Sequence, residues 1–182
     1  MESVPLIKGM FVNSHIEALR KEKGEEAVHE LERRYGKPLA FRNLEDVPVR
    51  EEVRIIEMVF DLMTGDAEIP DKSFEAGRLH FRNFINTPFG RMVDATLPKT
   101  EEGLVGLLTR ARYIARHVFK NTNFSSEIID DRTLKISMEN CDYPIDHFRG
   151  LFYEWMVRWG FEGHSVSARA TKPSRYEYTL SW

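Results

Sequence analysis

The sequence predicts an α+β fold in which an N-terminal helical layer packs on one face of a C-terminal four-stranded antiparallel sheet, laid out as hairpin, helix, hairpin. Two observations predict it. Apolar residues recur every three or four positions up to Lys120 and every second position in four segments after it. Between the second and third of those segments lies a helix-period stretch rich in aromatic rings, which can cover one face of a sheet while the other face stays wet.

Ser14 with Glu17 three residues on has capping-box spacing, so a short helix is expected from there through Arg20. Gly24 interrupts it, and Glu25 to Tyr35 resumes with Val28 and Leu31 on one face before Gly36 and Pro38 stop it. Gly36 to Val49 carries Pro38, Pro48 and several charges, but also Leu39, Phe41 and Leu44. It is too short and too apolar to separate domains, so residues 1–182 read as a single domain with a helical part (1–120) and a hairpin-helix-hairpin part (121–182). From Arg50 to Thr64, Val53, Ile56, Val59, Phe60 and Met63 form a helical face that Gly65 closes. Asp71 or Ser73 caps the next helix, where Phe74, Gly77, Phe81, Phe84 and Ile85 share a face; Pro88 and Gly90 then bend or break the chain. Pro98 and Thr100 open a further helix whose stripe runs through Leu104, Leu107, Leu108, Ala111, Ile114, Ala115 and Phe119. Gly103 and Gly106 inside it are expected to let another backbone approach.

The period then changes to two. Phe124, Ser126 and Ile128 alternate with Ser125, Glu127 and Ile129, a turn follows at Asp130 to Arg132, and Leu134, Ile136 and Met138 alternate with Lys135, Ser137 and Glu139. Pro144 leads into the aromatic helix, with Phe148, Phe152, Trp155 and Trp159 at helical spacing, which ends near Gly160 to Gly163. Val166, Ala168 and Ala170, then Tyr176, Tyr178, Leu180 and Trp182, supply the second hairpin.

The chain has 182 residues with 26 basic and 29 acidic side chains, a net charge of −3. That balance speaks against nucleic-acid binding, which draws on excess cationic charge. One cysteine, Cys141, excludes an internal disulfide and a zinc site of several thiolates. The N-terminus lacks the pattern of a secretory signal and no stretch of about 18 apolar residues occurs, so no membrane span and a cytoplasmic location are expected.

Lys8-Gly9-Met10-Phe11, Glu75-Ala76-Gly77, Thr87-Pro88-Phe89-Gly90-Arg91, Asn121, Phe148-Arg149-Gly150 and the closing Tyr178-Thr179-Leu180-Ser181-Trp182 resemble a myxobacterial paralogous family of unknown function, over nearly the whole chain. That family is in turn distantly similar to vinyl-reductase-type small-molecule-binding domains, haem nitric-oxide-binding domains and transport-particle subunits of the Bet3 type. The resemblance implies a sensory or adaptor module, commonly dimeric, that binds an apolar ligand or acyl chain between helices and sheet and catalyses no reaction. The haem-binding relatives carry a Tyr-x-Ser-x-Arg clamp; the corresponding Met138-Glu139-Asn140-Cys141-Asp142 lacks it. Haem is therefore disfavoured and no cofactor is expected, although His117 lies toward the end of a helix, where the resemblance would place an axial ligand.

The candidate ligand site comprises Arg91 as anchor for a carboxylate or phosphate, His80, Phe84, His117, Phe152 and Trp155. No metal site and no catalytic residue is assigned. A second reading is a homodimeric interaction module presenting Ile16, Leu19, Val28 and Leu31 to a partner. A third is a thiol enzyme using Cys141 with His147 as base. Arg112, Arg116 and Lys120 form a charged stripe that reads as a solvated face.

Overall fold

Each amphipathic segment buries its apolar stripe against the next. The computed structural model describes residues 3–65, 68–96, 100–109, 111–161 and 163–182. Strand β1 (Leu6–Lys8) runs directly into helix α1 (Gly9–Lys23), followed by α2 (Glu25–Tyr35), β2 (Asp46–Pro48) and α3 (Val49–Thr64). Helices α4 (Lys72–Ile85), α5 (Pro88–Thr96), α6 (Glu101–Thr109) and α7 (Ala111–Val118) come next, and α7 passes into β3 (Phe119–Lys120). The C-terminal part is β4 (Asn123–Asp130), β5 (Thr133–Glu139), α8 (Ile145–Arg158), β6 (Ser165–Lys172) and β7 (Arg175–Ser181). Pro98 lies outside the described residues, as do the side chains of Leu104, Leu107, Ala111, Arg112 and Ile114.

The expected α+β architecture is the one found. The larger sheet has the order β4-β5-β7-β6 with every pair antiparallel. Its buried face is built from cross-strand partners, Leu134 opposite Leu180, Ile136 opposite Tyr178 and Phe124 opposite Met138. Helix α8 closes that face: Tyr178 packs on Phe152 at 5.3 Å between ring centroids and donates its hydroxyl hydrogen to the Ile145 carbonyl. The tip of the first hairpin, with Ile128 and Ile129, stands exposed.

Three details differ from the sequence reading. Helix α1 starts at Gly9, not near Ser14, because its first free N–H groups are met by backbone: Gly9 N donates to the Glu45 carbonyl and Met10 N to that of Asn43. Ser14 instead donates to the Phe11 carbonyl from inside the helix. The region before Lys120 is not purely helical, since β1 pairs antiparallel with both β2 and β3 in a small second sheet. Pro88 starts α5 rather than ending a helix, as its missing N–H allows.

The crossing of α4 and α8 sets the site. A Cβ at Gly77 would fall 1.8 Å from the His147 carbonyl oxygen, and one at Gly150 would fall 1.9 Å from that of Phe74. Only glycine lets these two backbones touch. Gly106, expected to play such a part, has open space where its Cβ would be.

Candidate functional site

Helix α1 carries His15 on the face it buries with Phe11, Val12, Ile16 and Leu19. Helix α3 carries Glu52 between Val49, Val53 and Ile56, in the apolar stripe. Helix α4 contributes His80 and Asn83, the first turn of α8 contributes His147, and Tyr143 comes from the segment just before that helix. These six polar side chains, none more than 4% exposed, meet in one network.

Asn83 Nδ2 donates to His15 Nδ1 at 3.0 Å, and His15 Nε2 stands 2.7 Å from Glu52 Oε1. The same carboxylate oxygen lies 3.5 Å from His80 Nε2, while Tyr143 donates its hydroxyl hydrogen to Glu52 Oε2 at 2.5 Å. His80 Nδ1 and His147 Nε2 share a proton at 2.9 Å, and His147 Nδ1 is buried without a hydrogen-bond partner. The ligating atoms of His15, Glu52 and His80 all lie within 4.8 Å of one another.

Burial decides the charge of the imidazoles. It lowers His80 to about 4 against the pull of Glu52, and lowers His147 to about 3 with His80 adding to the effect. For Glu52 burial works upward, but His80, His15 and His147 together bring the carboxyl down to about 2. At neutral pH the group therefore holds a carboxylate facing neutral His80 and His147. Tyr143, raised well above its ordinary range by burial and by Glu52, stays a hydrogen donor.

His80 belongs also to the wall of a cavity of about 80 Å³. Its other walls are Phe81 and Phe84 from α4, Ala115 and Val118 from α7, Phe119 and Phe124 from β3 and β4, and Phe148, Leu151, Phe152 and Trp155 from α8. The rings stand in contact, Phe81 with Trp155 at 5.3 Å and Phe119 stacked on Phe124 at 5.4 Å.

Of the sequence-derived candidates, His80, Phe84, Phe152 and Trp155 come together at this cavity. Arg91 and His117 do not. Arg91 is exposed and donates to the Asn86 carbonyl, tying α5 back to the end of α4. His117 is exposed on α7, whose buried face carries Ala115 and Val118, so neither candidate reaches the cavity. Ile16, Leu19, Val28 and Leu31 are at most 4% exposed within the chain's own core, so they offer no face to a partner. Cys141 is 1% exposed, and burial, countered by the Tyr143 backbone N–H, pushes its thiol up to about 12, the reverse of what a nucleophile needs. Its supposed base, His147, is bonded to His80. His15, Glu52 and Tyr143 were missed; their signal is a polar residue at an apolar position of a helical stripe, plain for Glu52 in Val49-x-x-Glu52-Val53-x-x-Ile56.

Among solved structures, the chain is similar to one described as modulating heme redox potential through protein-induced porphyrin distortion, with 19% identity, a TM-score of 0.69 and coverage of 97% of this chain and 100% of that one. An H-NOX variant from T. tengcongensis aligns with 19% identity, a TM-score of 0.64 and coverage of 96% and 97%. An oxygen-binding H-NOX domain related to soluble guanylate cyclases, solved as its oxygen complex, aligns with 17% identity, a TM-score of 0.64 and coverage of 96% and 94%. At these identities the likeness establishes the fold. No protein of curated function matches the chain. Among the described residues, no helix is long and apolar enough to cross a membrane.

The reading that assigned no cofactor and disfavoured haem is corrected here. One of the similar structures is described by its heme and another as an oxygen complex, and His15, Glu52 and His80 form a buried group able to hold a metal ion. The stretch from Met138 to Asp142 carries no clamp, whereas the metal-capable atoms come from three helices, α1, α3 and α4. Residues 3–182 match a single family throughout, and the chain belongs to it: the family described as Protein of unknown function (DUF2378).

Proposed function

We propose that the chain is a non-enzymatic sensory domain that takes a flat, apolar-faced ligand, haem first, into the cavity between α4, α7, α8 and β4, with an acyl chain as the competing occupant. The wall carries the reading: among the described residues it is made of aromatic and aliphatic side chains with His80 as its one polar member, the composition that small-molecule sites favour. The fold shared with domains described by their heme supports it.

The residues suit the group in kind. Phe81, Phe84, Phe119, Phe124, Phe148 and Trp155 offer ring faces to a porphyrin plane, and His80, whose two nitrogens face Glu52 and His147, lines the cavity with the side of its ring rather than with a free nitrogen. The cavity of about 80 Å³ is smaller than a porphyrin; even an engineered space of about 150 Å³ takes only benzene. Phe84 and Phe119 are half-buried, and loading requires one or both of these rings to swing aside. Bound haem would supply an iron that accepts a small ligand or an electron; the chain's part is to clamp the ring and exclude water.

Hemin titrated into the ligand-free protein is expected to give a Soret band that saturates at one equivalent. Ala115→Trp, which fills the cavity from α7, is expected to weaken binding by about tenfold or more, a loss of about 1.4 kcal/mol. A spectrum that never saturates, or one that Ala115→Trp leaves unchanged, would contradict the reading.

A further inference from the structure

We propose that His15 Nε2, Glu52 Oε1 and His80 Nε2 hold one divalent transition-metal ion, of the zinc or ferrous-iron class, in the buried polar network beside the aromatic cavity. This goes beyond the reading of the cavity, because the ion site stands whether or not a porphyrin binds.

The donor set comes first. Two imidazole nitrogens approach one carboxylate oxygen, at 2.7 and 3.5 Å, and the three ligating groups lie within 4.8 Å of one another. An ion with bonds of roughly 2.0–2.2 Å needs its ligands only slightly farther apart than the closer pair. Two histidines and one carboxylate make up the facial set of non-haem iron and the protein part of open zinc sites. Magnesium and calcium, which take oxygen ligands, do not suit it.

Charge comes second. The buried carboxylate is met by the His15 ring at 2.7 Å, the His80 ring at 3.5 Å and the Tyr143 hydroxyl. Among the described residues no lysine or arginine is paired with Glu52. A buried charge without a counter-charge is costly, and a cation at this point supplies one.

The surroundings come third. Tyr143 fixes the second oxygen of Glu52, Asn83 sits on the far nitrogen of His15, and His147 sits on the far nitrogen of His80. Such outer partners orient metal-bound side chains. His147 Nδ1, buried and unpartnered, is the loose end of that set: with His80 Nε2 on the ion, His80 keeps its one proton on Nδ1 and donates it to His147 Nε2, and His147 carries its own on the otherwise free Nδ1. For His15 to ligate through Nε2 its proton sits on Nδ1, and the Asn83 amide turns its Oδ1 to accept it. Each ring then holds one proton and stays neutral.

The test is a titration of chelator-treated, haem-free protein with Co²⁺, read by visible absorption. The expected result is one equivalent bound, with the intense d–d bands of a four- or five-coordinate centre. Glu52→Gln and His15→Gln are expected to abolish them, and Tyr143→Phe to weaken binding by about 10–100-fold. As a readout independent of how these buried-network variants fold, Zn²⁺-loaded wild-type protein is also examined by X-ray absorption, where scattering from two imidazoles is expected. A cobalt spectrum no stronger than that of the aquo ion, or a first shell of oxygen alone, overturns the proposal. Because no porphyrin is present, either failure leaves the haem titration result intact and is distinguishable from it.

Discussion

Gly77→Ala is expected to destabilise the protein by about 3 kcal/mol or more, at the upper end of what overpacking costs. The new methyl would sit 1.8 Å from the His147 carbonyl oxygen, a backbone atom that cannot swing aside. Helices α4 and α8 would have to separate, and with them His80 and His147, whose nitrogens now stand 2.9 Å apart. Gly106→Ala is the control: its Cβ meets open space in helix α6, so the gain in helix propensity should stabilise by about 1 kcal/mol. Denaturant melts of the two variants check this; equal effects would mean that the α4–α8 crossing does not depend on backbone contact.

Acid is expected to remove a large share of the stability before ordinary carboxylates protonate. His80 and His147, near 4 and 3 in the folded chain, lie below the 6.5 of the unfolded one. The unfolded chain therefore binds more protons as the pH falls. Their contribution is whole above pH 6.5 and is lost as the pH drops toward 4 and then 3. For His80 alone the loss by pH 4 is about 3 kcal/mol, at about 1.4 kcal/mol for each pH unit. Glu52, held near 2 against an ordinary 4.5, adds a loss of the same sign only below that value. Unfolding free energies measured in chelator between pH 7 and 4.5 should fall steeply, and His147→Gln should flatten the curve. A profile that is level over that window, or unchanged by His147→Gln, would mean that these imidazoles are not buried as neutral groups.

Much of the fold was legible because long segments repeat their pattern. Helix α3 shows Val53, Ile56 and Val59 at helical steps, and β5 shows Leu134, Ile136 and Met138 at alternate positions; both stripes are buried. Strands of two or three residues, such as Leu6–Lys8 and Phe119–Lys120, are too short to show a period, and their pairing joins distant parts of the chain. The start of α1 was hidden for a related reason: backbone carbonyls of Asn43 and Glu45 do the capping, which no side-chain pattern records.

The site divides the same way. Phe152 and Trp155 share a turn and were visible as aromatic surplus, and His80 stood out beside Phe81 and Phe84. His15 and Glu52 come from separate helices and meet only through the packing of α1 on α3 and α4. Arg91 and His117 were chosen for chemistry that suits a ligand, but helix phase turns both toward solvent.

The most direct test of the cavity as the ligand site is a crystal structure of the protein grown with hemin. The result expected is porphyrin density between Phe81 and Trp155 on one side and Phe119 and Phe124 on the other, with Phe84 or Phe119 displaced from its present rotamer. Porphyrin bound at the surface, with the cavity closed and its rings unmoved, would contradict the account.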